Sequence, residues 1–251
     1  MYVVTRNHYA EGYSHSIPTP RFGDLIMIQV YSPERARKTD PYASGQSYAL
    51  YRGGEPAGHV RIDKVGPLQC DGSAAMVSLE HSSEFPTQSF ALATNANAVR
   101  WHTNSQRPAN AQERLVGEQL AAKQFRKNGV PDAAVGSTQF DNLISTPVDA
   151  SSRRVLIGLA RIKTRTVWHE LFLIADVAGS RVELFRYRQV MDVEDGKDSQ
   201  PLRFADQLDL DGDGSDELVI EVTGYESEEF WIYKHQNSSW QRVWVGGQGG
   251  C

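Results

Sequence analysis

Short apolar or alternating apolar–polar runs follow one another along most of the chain, and this pattern is typical of β-strands. In the first hundred residues, turn residues separate five such runs: Leu25–Tyr31, Ser47–Tyr51, His59–Val65, Ala74–Leu79 and Ser89–Ala93. The pair Gly53-Gly54 follows the second run and indicates a tight β-hairpin. Five short strands so close together predict a small β barrel or a curled sheet.

One segment has a helical pattern instead. Asn110–Asn128 carries apolar residues around an Ala-rich face, with Gly129 behind it as a C-cap. Pro131 prevents the helix from continuing. Arg126 and Lys127 lie in the last turn, where the helix dipole favours cations. A single helix is therefore predicted at the centre of the chain.

After this helix the strand pattern returns, and one unit is present twice. The strand candidates are Arg154–Arg161, Trp168–Asp176 and Arg181–Arg188 in the first copy, and Glu217–Gly224, Glu228–His235 and Trp240–Val245 in the second. Val155-Leu156-Ile157 matches Leu218-Val219-Ile220 at an offset of 63 residues (155 to 218). We expect two related three-stranded meanders, and a chance likeness between two unrelated meanders is the alternative.

Composition and net charge restrict the classes of protein to which this chain can belong. Hydrophobic residues make up 40% and charged residues 23% of the 251, which is ordinary for a globular protein. No uncharged apolar run approaches 18 residues, so no membrane span is expected. The net charge of −5 does not favour nucleic acid as a partner.

A strongly acidic loop lies at the start of the second copy. Asp209–Glu217 places five carboxylates in nine residues, and without a cation these would repel one another. Calcium takes six to eight oxygens, which alternating positions of a tight loop can supply, and Gly214 allows the sharp turn. The candidate calcium ligands are Asp209, Asp211, Asp213, the main-chain carbonyl of Ser215, and Glu217. A plain solvated Asp/Gly turn is the alternative interpretation.

The loop is not an EF-hand, because Ile220 stands where that motif needs a bidentate acid, and a strand pattern follows it. It resembles instead the calcium loop of FG-GAP or VCBS repeats, which occur in integrin-type β-propellers and in many exported bacterial proteins. The shared pattern is Asp-x-Asp-x-Asp-Gly-x-x-Glu followed by Leu218 and an apolar strand. The resemblance implies the same calcium ligands. The corresponding loop of the first copy, residues 146–153, has only Asp149 as an acid, so we expect no metal there.

These interpretations divide the chain into four segments. They are an irregular arm at residues 1–20, a small β domain at 21–105, a connecting helix at 106–130, and an FG-GAP-like β-repeat domain at 131–251. The predicted fold class is mainly β, with a small N-terminal β barrel or sheet, one helix and two FG-GAP-like antiparallel meanders.

No catalytic or cofactor-binding motif is found in the sequence: it has no nucleophile elbow, no phosphate-binding Walker loop and no dinucleotide fingerprint. The leading hypothesis is a calcium-stabilised binding or scaffold module with an unidentified protein or carbohydrate partner. A hydrolase acting on sugars or esters is the alternative, and two acids with raised pKa values in a concave pocket would favour it.

The cellular compartment determines whether the two cysteines are expected to form a disulfide. The resemblance implies a periplasmic or extracellular protein whose leader is not part of this chain, while a cytoplasmic protein stays possible because Met1–Arg6 shows no secretory signal. An exported protein would favour a disulfide between Cys70 and Cys251, and a cytoplasmic one would favour two free thiols. The sequence leaves both open.

Overall fold

The computed structural model describes residues 2–7, 25–30, 45–67, 73–80, 90–94, 100, 106–165, 167–178, 181–191, 201–224 and 227–250. Strands dominate this part of the chain and form three antiparallel sheets, so the predicted mainly-β fold class is confirmed. Cys70 and Cys251 lie outside the described residues, as do the connection 95–99 and the segment 192–200.

The first sheet is a closed six-stranded barrel. Its strands are β1 Tyr2–Asn7, β2 Leu25–Val30, β3 Ser47–Arg52, β4 Glu55–Pro67, β5 Ser73–Glu80 and β6 Phe90–Thr94. The order around the barrel is β1-β2-β5-β4-β3-β6. Each of the five predicted runs falls on one of the strands β2 to β6, except that Tyr31 and Ser89 are outside the described residues. Gly53 and Gly54 form the β3–β4 turn with φ of 61° and 78°. A two-residue type I′ hairpin turn requires a positive φ at both of these positions.

The predicted irregular arm is wrong for Tyr2–Asn7. This segment is β1, which pairs with β2 on one side and β6 on the other and so closes the barrel. Its Tyr-Val-Val-Thr run favours a strand. Whether the strand forms depends on pairing with β2 and with β6, which is the last strand of the barrel in sequence. The remainder of the arm, residues 8–20, is outside the described residues.

The predicted helix forms, with the expected ends. It is α1, Ala111–Lys127, and a single turn, α2, Asp132–Val135, follows it. Asn110 is the N-cap, and its side chain accepts from the Glu113 backbone while the Glu113 side chain accepts from the Asn110 backbone. At the other end Gly129 has φ of 81° beyond the C-cap.

The rest of the chain forms two sheets whose strands follow one another in sequence. The strands are β7 Arg107–Pro108, β8 Gln139–Pro147, β9 Arg154–Lys163, β10 Val167–Asp176, β11 Arg181–Met191, β12 Leu202–Leu208, β13 Glu217–Thr223, β14 Ser227–Gln236 and β15 Ser239–Gly250. Their orders are β11-β10-β9-β8-β7 and β12-β13-β14-β15. All six predicted strands of the two copies are present, and each meander has an additional first strand, β8 or β12. The relation between the two copies stays a prediction.

These elements stack in four layers: helix, five-stranded sheet, four-stranded sheet and barrel. Residues alternate along each strand between the two faces of its sheet. On β9, Val155 and Ile157 face the four-stranded sheet, while Leu156 and Ala160 face α1. On β13 and β14, Val219, Phe230 and Ile232 pack instead against Leu92 of the barrel. Burial on both faces explains why the central strands read as nearly continuous apolar runs.

Each outer layer is joined to its sheet through a buried carboxylate. On the helix side, Glu113 Oε2 and Oε1 accept from Arg107 at 2.6 Å and 2.8 Å, and Oε1 also accepts from the Ser145 hydroxyl at 2.8 Å. On the barrel side, Asp206 Oδ1 accepts from the main-chain N–H of Gly53 at 2.8 Å. The hydrogen bond from Arg107 lowers the pKa of Glu113 to about 2, whereas burial raises the pKa of Asp206 to about 7.

Neither helix in the described part of the chain is long and apolar enough to cross a membrane.

Candidate metal centre

The acidic loop joins β12 to β13 and is wrapped around one buried carboxylate. Asp209 is 1% exposed, and its two carboxylate oxygens accept main-chain N–H groups from Gly212 at 2.7 Å, Asp213 at 3.1 Å and Gly214 at 2.9 Å. Gly212 and Gly214 have φ of 79° and 93°, a conformation that favours glycine. The sharp turn predicted at Gly214 is therefore present.

Three of the predicted ligands converge. Asp209, Asp211 and Glu217 each place one carboxylate oxygen so that all three lie within 4.8 Å of one another. Two oxygens on one calcium ion, each 2.3–2.6 Å from it, lie at most about 5 Å apart. The donor set and its spacing therefore fit calcium. The other predicted ligand residue, Ser215, pairs with Asp149, which lies between β8 and β9, in an isolated antiparallel β-bridge.

A cation from another strand already reaches this cluster. The Lys234 ammonium lies 2.7 Å from Asp211 Oδ2, 2.7 Å from Asp213 Oδ2 and 2.9 Å from Glu217 Oε1. Through this lysine the fourth predicted acid, Asp213, joins the other three. Burial alone would lower the pKa of Lys234, but hydrogen bonds with the three carboxylates outweigh it and raise that pKa above its usual value. The same lysine lowers the pKa of Asp213.

Lys234 is not among the predicted site residues, because it lies 17 residues beyond Glu217 in the chain. A signal was present in the predicted hairpin of the second copy. Once Leu218 is paired with Tyr233, the next residues outward on the two strands are Glu217 and Lys234. The register of β13 and β14 thus brings this cation beside the acids.

Glu217 is the most buried acid that Lys234 contacts. Its side chain is 2% exposed, and Oε2 accepts from the Leu210 main-chain N–H at 2.8 Å. Burial raises the pKa of Glu217 to about 7, although Lys234 and the Leu210 N–H act in the opposite direction. A carboxylate taken out of water in this way gains most from a nearby cation.

The fifth acid of the loop, Asp216, has a different role. Its main-chain N–H donates to the Val148 carbonyl at 2.9 Å, and its carboxylate accepts from the Gln207 amide at 2.6 Å. Gln207 is fully buried, also donates to the Pro147 carbonyl, and pairs through its side-chain oxygen with the Thr146 hydroxyl. Gln207 and Asp216 therefore brace the acidic loop against the β8–β9 turn of the other sheet.

The β8–β9 turn, residues 148–153, is closed by its own residues. Asp149 Oδ1 accepts from the Ser151 main-chain N–H at 2.9 Å and the Arg153 main-chain N–H at 3.2 Å. The Arg153 side chain lies 3.4 Å from Asp149 Oδ2. The single acid of this turn, Asp149, is thus paired with an arginine four residues away. The acidic loop between β12 and β13, by contrast, has five acids.

The two sheets enclose a cavity of about 100 Å³ at a distance from the loop, with Phe172, Val222 and Trp231 in its walls. Its single carboxylate, Glu170, is paired with Arg161 at 3.0 Å and Arg188 at 2.8 Å. The acids with pKa values raised to about 7, Asp206 and Glu217, are not part of this cavity. The residues that line this cavity therefore do not supply the pair of acids that would favour a hydrolase.

No family model, curated protein or solved structure matches this chain. The resemblance to FG-GAP and VCBS repeats, made on the acidic loop with Leu218 and the strand that follows it, therefore stays a prediction.

Proposed function

We propose that this protein is a calcium-stabilised binding or scaffold module, in which the ion orders the β12–β13 loop. The observation that carries the proposal is the convergence of Asp209, Asp211 and Glu217 within 4.8 Å, on a loop turned by two glycines. Calcium would be held by these three acids, Asp213 and the Ser215 carbonyl. It would supply charge neutralisation and a link between the loop and β13.

Charge arithmetic supports a divalent ion. Four acids of the loop are predicted ligands, and in the described part of the chain Lys234 is the side-chain cation paired with three of them. A single ammonium offsets one of these four negative charges, and repulsion between close carboxylates destabilises the loop. A calcium ion would remove that repulsion.

The position of the loop supports a structural role for the ion. Asp216 and Gln207 connect the loop to the five-stranded sheet, and the Asp209 carbonyl accepts from the Arg100 main-chain N–H at 3.1 Å. An ion that orders the loop therefore stabilises the contact between both sheets. The partner of the module, a protein or a carbohydrate outside the cell, is part of the same proposal.

The test is thermal unfolding of the whole chain in EDTA and in millimolar calcium. At a calcium concentration one hundred times Kd the expected gain is about 2.7 kcal/mol, or roughly 5–10 °C in Tm for a chain of this size. Asp211→Ala and Asp213→Ala should abolish the difference. Asp132→Ala, which removes an acid that is 82% exposed and outside the loop, should retain it. A wild-type Tm that is the same in EDTA and calcium would refute the proposal.

A further inference from the structure

We infer that Lys234 is a built-in cation that holds the acidic loop closed without a metal, and that calcium binds only by displacing it. Lys234 would then determine the calcium affinity of the loop. The inference rests on the proposed calcium site and adds a residue that the FG-GAP-like pattern of the loop does not contain.

Lys234 contacts carboxylates that calcium would also need. The Lys234 ammonium contacts Asp211 Oδ2, Asp213 Oδ2 and Glu217 Oε1, each at 2.7–2.9 Å. These residues are three of the four acids predicted to hold calcium. An ion 2.3–2.6 Å from the same carboxylates would lie beside the ammonium, and two cations this close repel each other. The lysine and the ion therefore compete for one position.

The strand that carries Lys234 cannot move away, but its side chain can. β14 is an inner strand, hydrogen-bonded to β13 and β15, and the neighbouring Ile232 and Tyr233 are buried. The four-carbon side chain of a lysine is flexible. Asp211 and Asp213 are 56% and 47% exposed, so solvent lies next to the ammonium. Displacement therefore requires only that the side chain rotates outward.

Two consequences distinguish this arrangement from a simple calcium loop. In the absence of metal, the ammonium offsets part of the repulsion, so the wild-type loop keeps its shape. In the presence of calcium, the protein must give up three ion pairs before the ion gains its ligands, so the affinity is lowered. Removing the charge of Lys234 should therefore weaken the metal-free loop and tighten calcium binding at the same time.

The experiment is calorimetric titration of calcium into the full chain, comparing wild type with Lys234→Met and Lys234→Gln. We expect both variants to bind calcium at least tenfold more tightly than wild type. We also expect both to melt below wild type in EDTA and to recover in calcium. Lys123→Met makes the same change of net charge at an exposed position of α1 and should bind calcium as wild type does.

The outcomes separate the two proposals. Equal calcium affinities in wild type and both Lys234 variants would overturn the role of Lys234 and leave the calcium site intact. No calcium binding by any of the proteins would overturn both. Binding by the variants alone would support the role of Lys234 but would refute calcium as the ion that stabilises the wild-type protein.

A measurement on the wild-type protein covers the case in which the variants do not fold. A lysine ammonium held by three carboxylates exchanges its protons slowly, so ¹⁵N NMR should show one protected side-chain ammonium in EDTA. Calcium should remove that signal. A protected signal that persists in saturating calcium would contradict displacement.

Discussion

The two sheets hold negative charge in different ways. In the five-stranded sheet each acid at a junction has an arginine: Glu113 is paired with Arg107, and Asp149 with Arg153. In the four-stranded sheet Arg203 pairs with Glu221 on the neighbouring strand, but the two acids at the junctions, Asp206 and Asp209, are held by main-chain N–H groups. Asp206 accepts from Gly53, and the Asp209 carboxylate accepts from three N–H groups of its own loop.

The difference determines what each sheet responds to. A guanidinium carries a full positive charge at every pH of interest, so it fixes the charge of its acid. Main-chain N–H groups supply only partial charges, and a buried carboxylate held by them stays costly. We therefore expect the five-stranded sheet to be insensitive to cations and pH near neutrality, and the four-stranded sheet to be sensitive to both.

The largest expected effect concerns Asp206, whose folded pKa of about 7 lies above its ordinary value of 3.8. Because the folded state binds the extra proton, the stabilisation is full below about pH 4 and is lost as the pH rises through 7. Arg52 of the barrel lowers the pKa of Asp206, but less than burial raises it. The free energy of unfolding should fall by roughly 4 kcal/mol across this window on account of Asp206.

Denaturant unfolding between pH 4.5 and 8 measures this effect, and Asp206→Asn should flatten the curve relative to wild type. The matched control is Asp132→Asn, at a position on α2 that is 82% exposed. If the difference between wild type and Asp206→Asn is the same at every pH, the carboxylate does not titrate in this range.

The next largest effect concerns the link between the two sheets. Gln207→Leu removes hydrogen bonds to Thr146, Pro147 and Asp216, all in a fully buried position. Loss of partners for buried polar groups should cost about 3 kcal/mol. Calcium should also bind more weakly, because the loop loses its brace.

Urea unfolding and calcium titration measure the two consequences of this change. The control, Gln119→Leu, makes the same substitution at an exposed position of α1 and should shift stability by less than about 0.5 kcal/mol. A Gln207→Leu protein as stable as this control would show that the two sheets do not depend on the link.

The smallest effect concerns the helix junction. Glu113→Gln keeps a side-chain oxygen that can accept the Asn110 main-chain N–H at the cap, but it removes the charge that Arg107 binds. We expect a loss of about 2 kcal/mol at neutral pH, after allowing for the 40% exposure of Arg107. The folded pKa of Glu113 is lowered to about 2, so its contribution is present above its ordinary value of 4.5 and is lost as the pH falls through 2.

The difference between wild type and Glu113→Gln should therefore be constant from pH 6 to 8 and shrink in acid. Glu118→Gln, on the same helix and partly exposed, serves as the control. A difference that grew as the pH fell would have the wrong sign for a lowered pKa.

The sequence was informative wherever structure depends on neighbouring residues. The ends of α1 at Asn110 and Gly129, the Gly53-Gly54 turn and the turn at Gly214 follow from local rules of capping and positive φ. Three strands of each meander, β9 to β11 and β13 to β15, were predicted from apolar periodicity, whereas β8 and β12 were not.

What the sequence did not reveal depends on residues that are far apart in the chain. β1 is defined by its pairing with β2 and β6, and Lys234 reaches Asp211 across 23 positions. The contact between Gly53 and Asp206 spans 153 positions. No local pattern encodes such contacts, and for the same reason a cation was missed at a site whose anions were all predicted.

The sequential strand order of the two sheets has a consequence for the time course of folding. Pairings between adjacent strands of a meander close short loops, whereas the barrel must bring β1 to β6 across most of its length. The meanders should therefore form first. Until the barrel docks, the outer face with Val219, Phe230 and Ile232 is uncovered. Refolding at high protein concentration should consequently lose material to association at this face, and dilution should recover it.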